Sequence, residues 1–187
     1  MSLDKQTVKY DNEGNKWVLA EGWSNMYDAV DVAYKLLQLA KEKDIQLSNL
    51  QLQKLVYIAH GYMLGWKSTP LVKDEIQAWK YGPVIHSIYN QFKENGANKV
   101  PTEGIDNVTI DADFTADELT CLNGVLDLYA NRTPESLITT THQENTPWDE
   151  VWNKNNGKSC YFAKIPNELI KNHYRKVVTN PESVSGL

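Results

Sequence analysis

Residues 48–92 read SNLQLQKLVYIAHGYMLGWKSTPLVKDEIQAWKYGPVIHSIYNQF, and the pattern inside them decides the fold. In the first half, Leu52, Leu55, Val56, Ala59, Tyr62, Met63 and Trp66 recur at the i, i+3, i+4, i+7 spacing of one helical face. Leu50, Tyr57, Ile58 and Leu64 lie off that face, so the predicted helix is apolar almost all round. A helix of this kind is central, covered by neighbours on several sides. Ser48 suits its N-cap and Leu47 a staple position, while Gly61 and Gly65 mark either close packing or the helix end. In the second half, residues 75–81 predict a strand whose alternation sends Ile76 and Ala78 to one side and Trp79 and Tyr81 to the other. Gly82-Pro83 then predicts the end of that strand and the start of a second helix, with Pro83 in its first turn. Val84, Ile85, Ile88, Tyr89 and Phe92 form the expected buried stripe of this helix, and His86, Asn90 and Lys93 its outer side.

Working outward, a helix is expected over about 26–43, capped by Ser24 or Asn25, with Ala29, Val32, Ala33, Leu36, Leu37 and Ala40 facing inward. Residues 7–20 predict two short strands around a polar turn, with Gly14 or Asn15 available for a positive φ. Such a hairpin is marginal alone and is expected to pack on the body or a partner, or to extend the strand at 75–81. Residues 95–114 predict a loop in which Val108 and Ile110 could form a short strand. Thr115 and Glu118 form a capping box for a helix reaching about 130, its face made by Leu119, Leu122, Leu126 and Tyr129. Thr133-Pro134 and Thr146-Pro147 each pair a cap with a proline at the first helical position, and residues 141–145 are a polar connection between them. Pro166 opens a final helix through Val178 with Leu169, Ile170, His173, Tyr174 and Val177 on one side. The fold class is therefore α+β, mostly helical: a bundle around the 49–65 helix with a small strand element. The expected organisation is an N-terminal hairpin extension (1–22), one domain (23–179) and a flexible tail (180–187).

A chain of 187 residues with 41% hydrophobic and 23% charged residues suits one globular domain, which buries about 70% of its unfolded surface and needs no metal or disulfide to fold. The net charge of −5 argues against non-specific nucleic-acid binding, which requires a concentrated basic surface. No leader-like segment opens the sequence and no apolar run reaches membrane-spanning length, so the expectation is a cytoplasmic protein with no membrane partner. Cys121 and Cys160 lack CxxC spacing and are expected to be free thiols, buried or partly so.

Catalytic signatures are sparse. His60, His86, His142 and His173 show no HxxxH or HExxH spacing, so no metal is expected, and neither GxSxG nor a glycine-rich phosphate loop occurs. No cofactor is called for. His60 in an apolar helix reads as a core histidine bonded to backbone, and His86 as either a surface residue or a partner contact. His142, Gln143 and Glu144 with Asp149 and Glu150 are the nearest approach to an acid–base cluster, but helix capping around Pro147 explains them more simply. Trp148 and Trp152, four residues apart, read as core packing. Residues 79–83, Trp-Lys-Tyr-Gly-Pro, read either as an architectural turn or as an anchor set, since Trp and Tyr beside a cation concentrate binding energy at interfaces.

Three separated blocks, LQLQKLVYIAHGYMLGW, IQAWKYGPVIHSIYNQF and THQENTPWDEVW, together resemble the Panacea domain, the SocA-like or GepA-like antitoxin domain of bacteria and their phages, over roughly residues 26–155. The resemblance implies an antitoxin that neutralises a toxin encoded beside it by direct binding, and not an enzyme. It also implies, as an alternative, an adaptor presenting the toxin to a chaperone-protease. A small enzyme using His142, Glu144 and Asp149 is the remaining alternative. The expected partner surface is Trp79, Lys80, Tyr81, His86 and Asn90, helped by His142 and Glu144 from the neighbouring loop.

Overall fold

Helix α2 (Asn49–Lys67) forms because an unbroken apolar pattern follows a complete cap. The Ser48 hydroxyl accepts from the Gln51 N–H while Gln51 Oε1 accepts from the Ser48 N–H. A computed structural model describes residues 8–10, 16–18, 26–160 and 162–180. Within them α2 is the spine: Leu52, Leu55, Val56, Ile58 and Ala59 are fully buried. Its apolar stripe closes one turn earlier than expected, because Trp66 lies 45% exposed.

Helix α7 (Asn167–Thr179) packs directly on α2, and the two α2 glycines are the reason it can. A Cβ at Gly61 would lie 2.2 Å from the Tyr174 ring, and one at Gly65 would lie 2.6 Å from the Tyr174 carbonyl carbon. Close packing, not a helix end, explains both. His60 is wholly buried between these elements, its Nδ1 accepting from the Val72 N–H at 3.2 Å and its Nε2 lying 3.0 Å from Asn167 Oδ1. That satisfied pair is the core histidine expected from the sequence.

Helix α1 (Ala29–Glu42) buries Ala29, Val32, Ala33, Leu36, Leu37 and Ala40 as predicted. It starts later than the predicted residue 26. The chain at Tyr27 is held extended by backbone hydrogen bonds to Leu71 and Lys73, and Asp74 Oδ2 accepts the Ala29 N–H at 2.9 Å. Helix α4 (Ala116–Tyr129) begins at the Thr115–Glu118 capping box, and α5 (Pro134–His142) and α6 (Pro147–Asp149) begin at Thr133 and Thr146 with proline at the first position. A π-helical turn (Glu150–Lys154) continues α6. Val108 and Ile110 form no strand; residues 105–107 make a single 3₁₀ turn instead, closed by Val108 N–H to Ile105 O.

The segment after Trp79 departs most from expectation. Gly82-Pro83 does not open a helix. Strand β3 (Ile76–Trp79) turns back through Lys80 and Tyr81 into β4 (Gly82–Ile85), pairing Ala78 with Pro83 and Trp79 with Gly82, and α3 (His86–Phe92) starts only after Ile85. Pro83 is tolerated because β4 is an edge strand, paired on one side with β3, so the N–H that proline lacks is not needed by a second neighbour; its carbonyl is taken by Lys54 of α2. The other edge of β3 pairs with residues 163–165 through Ala78 N–H to Ala163 O and Ile165 N–H to Ile76 O. The N-terminal strands β1 (Val8–Tyr10) and β2 (Lys16–Val18) pair antiparallel in a separate sheet, so they do not extend β3. The predicted caps Ser24 and Asn25, the turn glycine Gly14 and the 181–187 portion of the tail lie outside the described residues.

Candidate functional site

The β3–β4 hairpin is held from beneath by polar side chains of α2. The Gln53 carboxamide accepts the Ile85 N–H and donates to the Ile85 carbonyl, both at 3.0 Å, and Lys54 Nζ donates to Pro83 O at 2.9 Å. Lys54 is 1% exposed. Burial pushes its ammonium down to about 7, far below the ordinary lysine range. Lys80 and Tyr81 keep ordinary negative φ while Gly82 takes φ +102°, the left-handed position that completes a tight hairpin. A Cβ there would also lie 2.5 Å from Lys54 Nζ and 3.0 Å from Thr141 Oγ1, so a side chain would have to displace the lysine tip as well as adopt the positive φ.

Above this base the hairpin, α3 and the chain after Cys160 assemble an aromatic ridge. Trp79 stands 5.3 Å from Tyr89, 6.1 Å from His86 and 6.2 Å from Phe162, centroid to centroid. His86 and Phe162 are 6.2 Å apart. Tyr81 is 60% exposed at the tip, with Lys80 Nζ 5.3 Å from the centre of its ring. Phe162 and Tyr89 are exposed large apolar residues as well. Cavities of 400 Å³ and 480 Å³ flank Trp79 and Lys80, which line both.

Of the expected partner surface, the structure brings Trp79, Lys80, Tyr81 and His86 to one face, with Asn90 one turn on, its Nδ2 3.4 Å from the His86 ring nitrogens. His142 belongs to the base and not to the ridge. Its ring packs on Trp148 at 3.8 Å, and Trp148 Nε1 donates to Trp79 O at 2.8 Å, which ties α5 and α6 to the hairpin. His142 Nε2 is buried without a hydrogen-bond partner, and burial together with the Lys54 charge holds the imidazole down to about 4. It is neutral near pH 7. Glu144 is exposed, and no hydrogen bond or ion pair joins it to the ridge among the described residues. Asp149 does capping work, accepting from the Asn145 N–H at 3.0 Å and Asn153 Nδ2 at 2.8 Å. Trp148 and Trp152 stack at 5.8 Å.

Sequence reasoning missed Tyr89, Phe162 and Lys54. Tyr89 was expected in the buried stripe of α3 but lies 39% exposed, because the stripe is satisfied by Ile88 and Phe92. A lysine inside an apolar helix is the one local signal that was available for Lys54. Phe162 carries none. Among the described residues no group of three or more His, Cys, Asp or Glu converges, and no helix is long and apolar enough to cross a membrane.

The profile described as "Antitoxin SocA-like, Panacea domain" matches residues 52–149, a span holding most of α2, the hairpin, α3 and the His142–Trp148 base. Antitoxin SocA of Caulobacter vibrioides (strain NA1000 / CB15N) is 32% identical over 155 residues, covering 79% of this chain and 82% of the relative. No solved structure matches. With half of the chain matched by the profile and most of it by the relative, the chain belongs to the SocA-like antitoxin family built on the Panacea domain.

Proposed function

We propose that this chain is an antitoxin that neutralises a cognate toxin protein by binding it directly, through the ridge of Trp79, Tyr81, His86, Tyr89 and Phe162. The observation that carries this reading is the exposure of clustered aromatic rings on a hairpin fixed rigidly from below. Tyr and Trp with a neighbouring cation are the side chains that dominate interface energetics, and preorganised anchors lose little entropy on binding. No step of this role requires a cofactor or a reaction. The acid–base alternative around His142, Glu144 and Asp149 finds little support, since His142 is neutral and packed on Trp148, Asp149 caps a helix and Glu144 stands apart. On this reading residues 23–179 carry the antitoxin domain, with 1–22 a hairpin extension and 180–187 a tail, and the protein meets its toxin in the cytoplasm.

The adaptor reading has one observation in its favour. A second apolar face, a 570 Å³ groove between α2, α4 and α7, exposes Trp66, Leu128 and Val178 away from the ridge. An adaptor needs two such surfaces. Co-expressing the chain with the product of the adjoining reading frame tests both: growth is restored by wild type and lost with the Trp79→Ala/Tyr81→Ala variant. Shortening of toxin half-life only in the presence of the chaperone-protease would select the adaptor.

A further inference from the structure

We propose that the 400 Å³ cavity beside the hairpin takes an acidic side chain of the partner protein, whose carboxylate pairs with the Lys54 ammonium. The inference rests on the reading that this face binds the partner, and it specifies what the partner brings. Asn49, Leu50, Lys54, Trp79, Tyr81 and Tyr89 are among the residues lining the cavity. Among the described residues its formally charged lining groups are the cations Lys54 and Lys80, with no Asp or Glu.

Lys54 is the unusual member. A buried ammonium carries three N–H donors and requires acceptors and a counter-ion. Among the described residues Lys54 makes one hydrogen bond, to the uncharged Pro83 carbonyl, and no ion pair. The nearby Gln53 carboxamide bonds to both backbone groups of Ile85 and is uncharged. The titratable groups near Lys54 are His142 from α5 and, lining the same cavity, Lys80 and Tyr81 from the hairpin and Tyr89 from α3; no carboxylate is among them. Asn49, also buried and lining the cavity, leaves its Oδ1 without a hydrogen-bond partner among the described residues. Leu50, Trp79 and Tyr89 give the methylene groups of a Glu or Asp an apolar wall, while the carboxylate reaches the cation at the floor. The depressed proton affinity of the isolated Lys54 fits a cation waiting for its anion.

The probe is 3-phenylpropionate, an apolar body with one carboxylate, titrated into the full chain labelled with ¹³C and ¹⁵N, with 3-phenylpropionamide as the uncharged control. The carboxylate is expected to shift the signals of Gly82, Val84 and the Trp79 indole N–H with at least tenfold higher affinity than the amide. Saturation should raise the titration midpoint of the Lys54 ¹³Cε signal by one pH unit or more, a readout on wild-type protein that owes nothing to the folding of a variant. In a Lys54→Met protein with a native-like spectrum, the preference for the carboxylate should vanish. Equal binding of acid and amide, or an unmoved Lys54 midpoint under saturating carboxylate, overturns the proposal. The two levels separate cleanly. Loss of toxin binding on Trp79→Ala/Tyr81→Ala without a carboxylate preference sinks the cavity assignment alone, whereas a carboxylate preference with toxin binding intact sinks the ridge as the binding face.

Discussion

Lys54 places an ammonium 1% exposed in the fold and gives it one backbone carbonyl in return. Its folded-state proton affinity lies below the unfolded value, so the stability it takes from the fold is greatest below pH 7 and fades as pH rises from 7 toward 10.5. Replacing it by an apolar side chain of similar length removes that burden and loses one hydrogen bond of about 1 kcal/mol. Lys54→Met is therefore expected to be more stable than wild type at pH 6, with a smaller advantage at pH 9; thermal unfolding at the two pH values reads the difference. A lower midpoint at pH 6 would show that the carbonyl contact outweighs desolvation. Gly82 is the complementary case. Ala in its place meets a φ of +102° and the Lys54 ammonium at 2.5 Å, and is expected to cost about 2 kcal/mol in urea unfolding.

At the level of elements, α2 and α7 are locked by glycines. Gly61 faces a ring that can tilt, whereas Gly65 faces the Tyr174 backbone, which cannot move without shifting α7. Gly65→Ala should thus destabilise by about 3 kcal/mol and Gly61→Ala by less, a ranking that denaturant midpoints check directly. The long helices were legible in the sequence because each carries its own period and caps: Ser48 with Gln51, Thr115 with Glu118, Thr133 with Pro134. The hairpin was not. Four-residue strands hold too little pattern, and a proline next to glycine suits a helix start equally well. What makes Pro83 a strand residue is a lysine 29 positions earlier on α2 and a β-edge supplied by residues 163–165. The ridge was half legible for the same reason. Trp79, Lys80, Tyr81 and His86 are neighbours in sequence, whereas Phe162 arrives by tertiary folding alone.

Over the whole molecule, burial of neutral imidazole sets the response to acid. His60 lies wholly in the core with its proton affinity pushed down to about 4, below the unfolded value near 6.5. The stability it contributes is present above pH 6.5 and is lost as pH falls from there toward 4, by about 3 kcal/mol across the interval. His142, lowered to a similar value, acts in the same direction. Acid unfolding between pH 6 and 4 should accordingly weaken in His60→Gln relative to wild type, whatever that variant's starting stability.

The central claim, that the hairpin ridge is where this antitoxin holds its toxin, is tested most directly by calorimetric affinity for the protein encoded in the adjoining reading frame. Wild type should be compared with Trp79→Ala/Tyr81→Ala after circular dichroism has shown both folded. Loss of two central aromatic anchors predicts at least a hundredfold weaker binding, about 3 kcal/mol. An affinity within twofold of wild type would contradict the account and move the binding face elsewhere on the molecule.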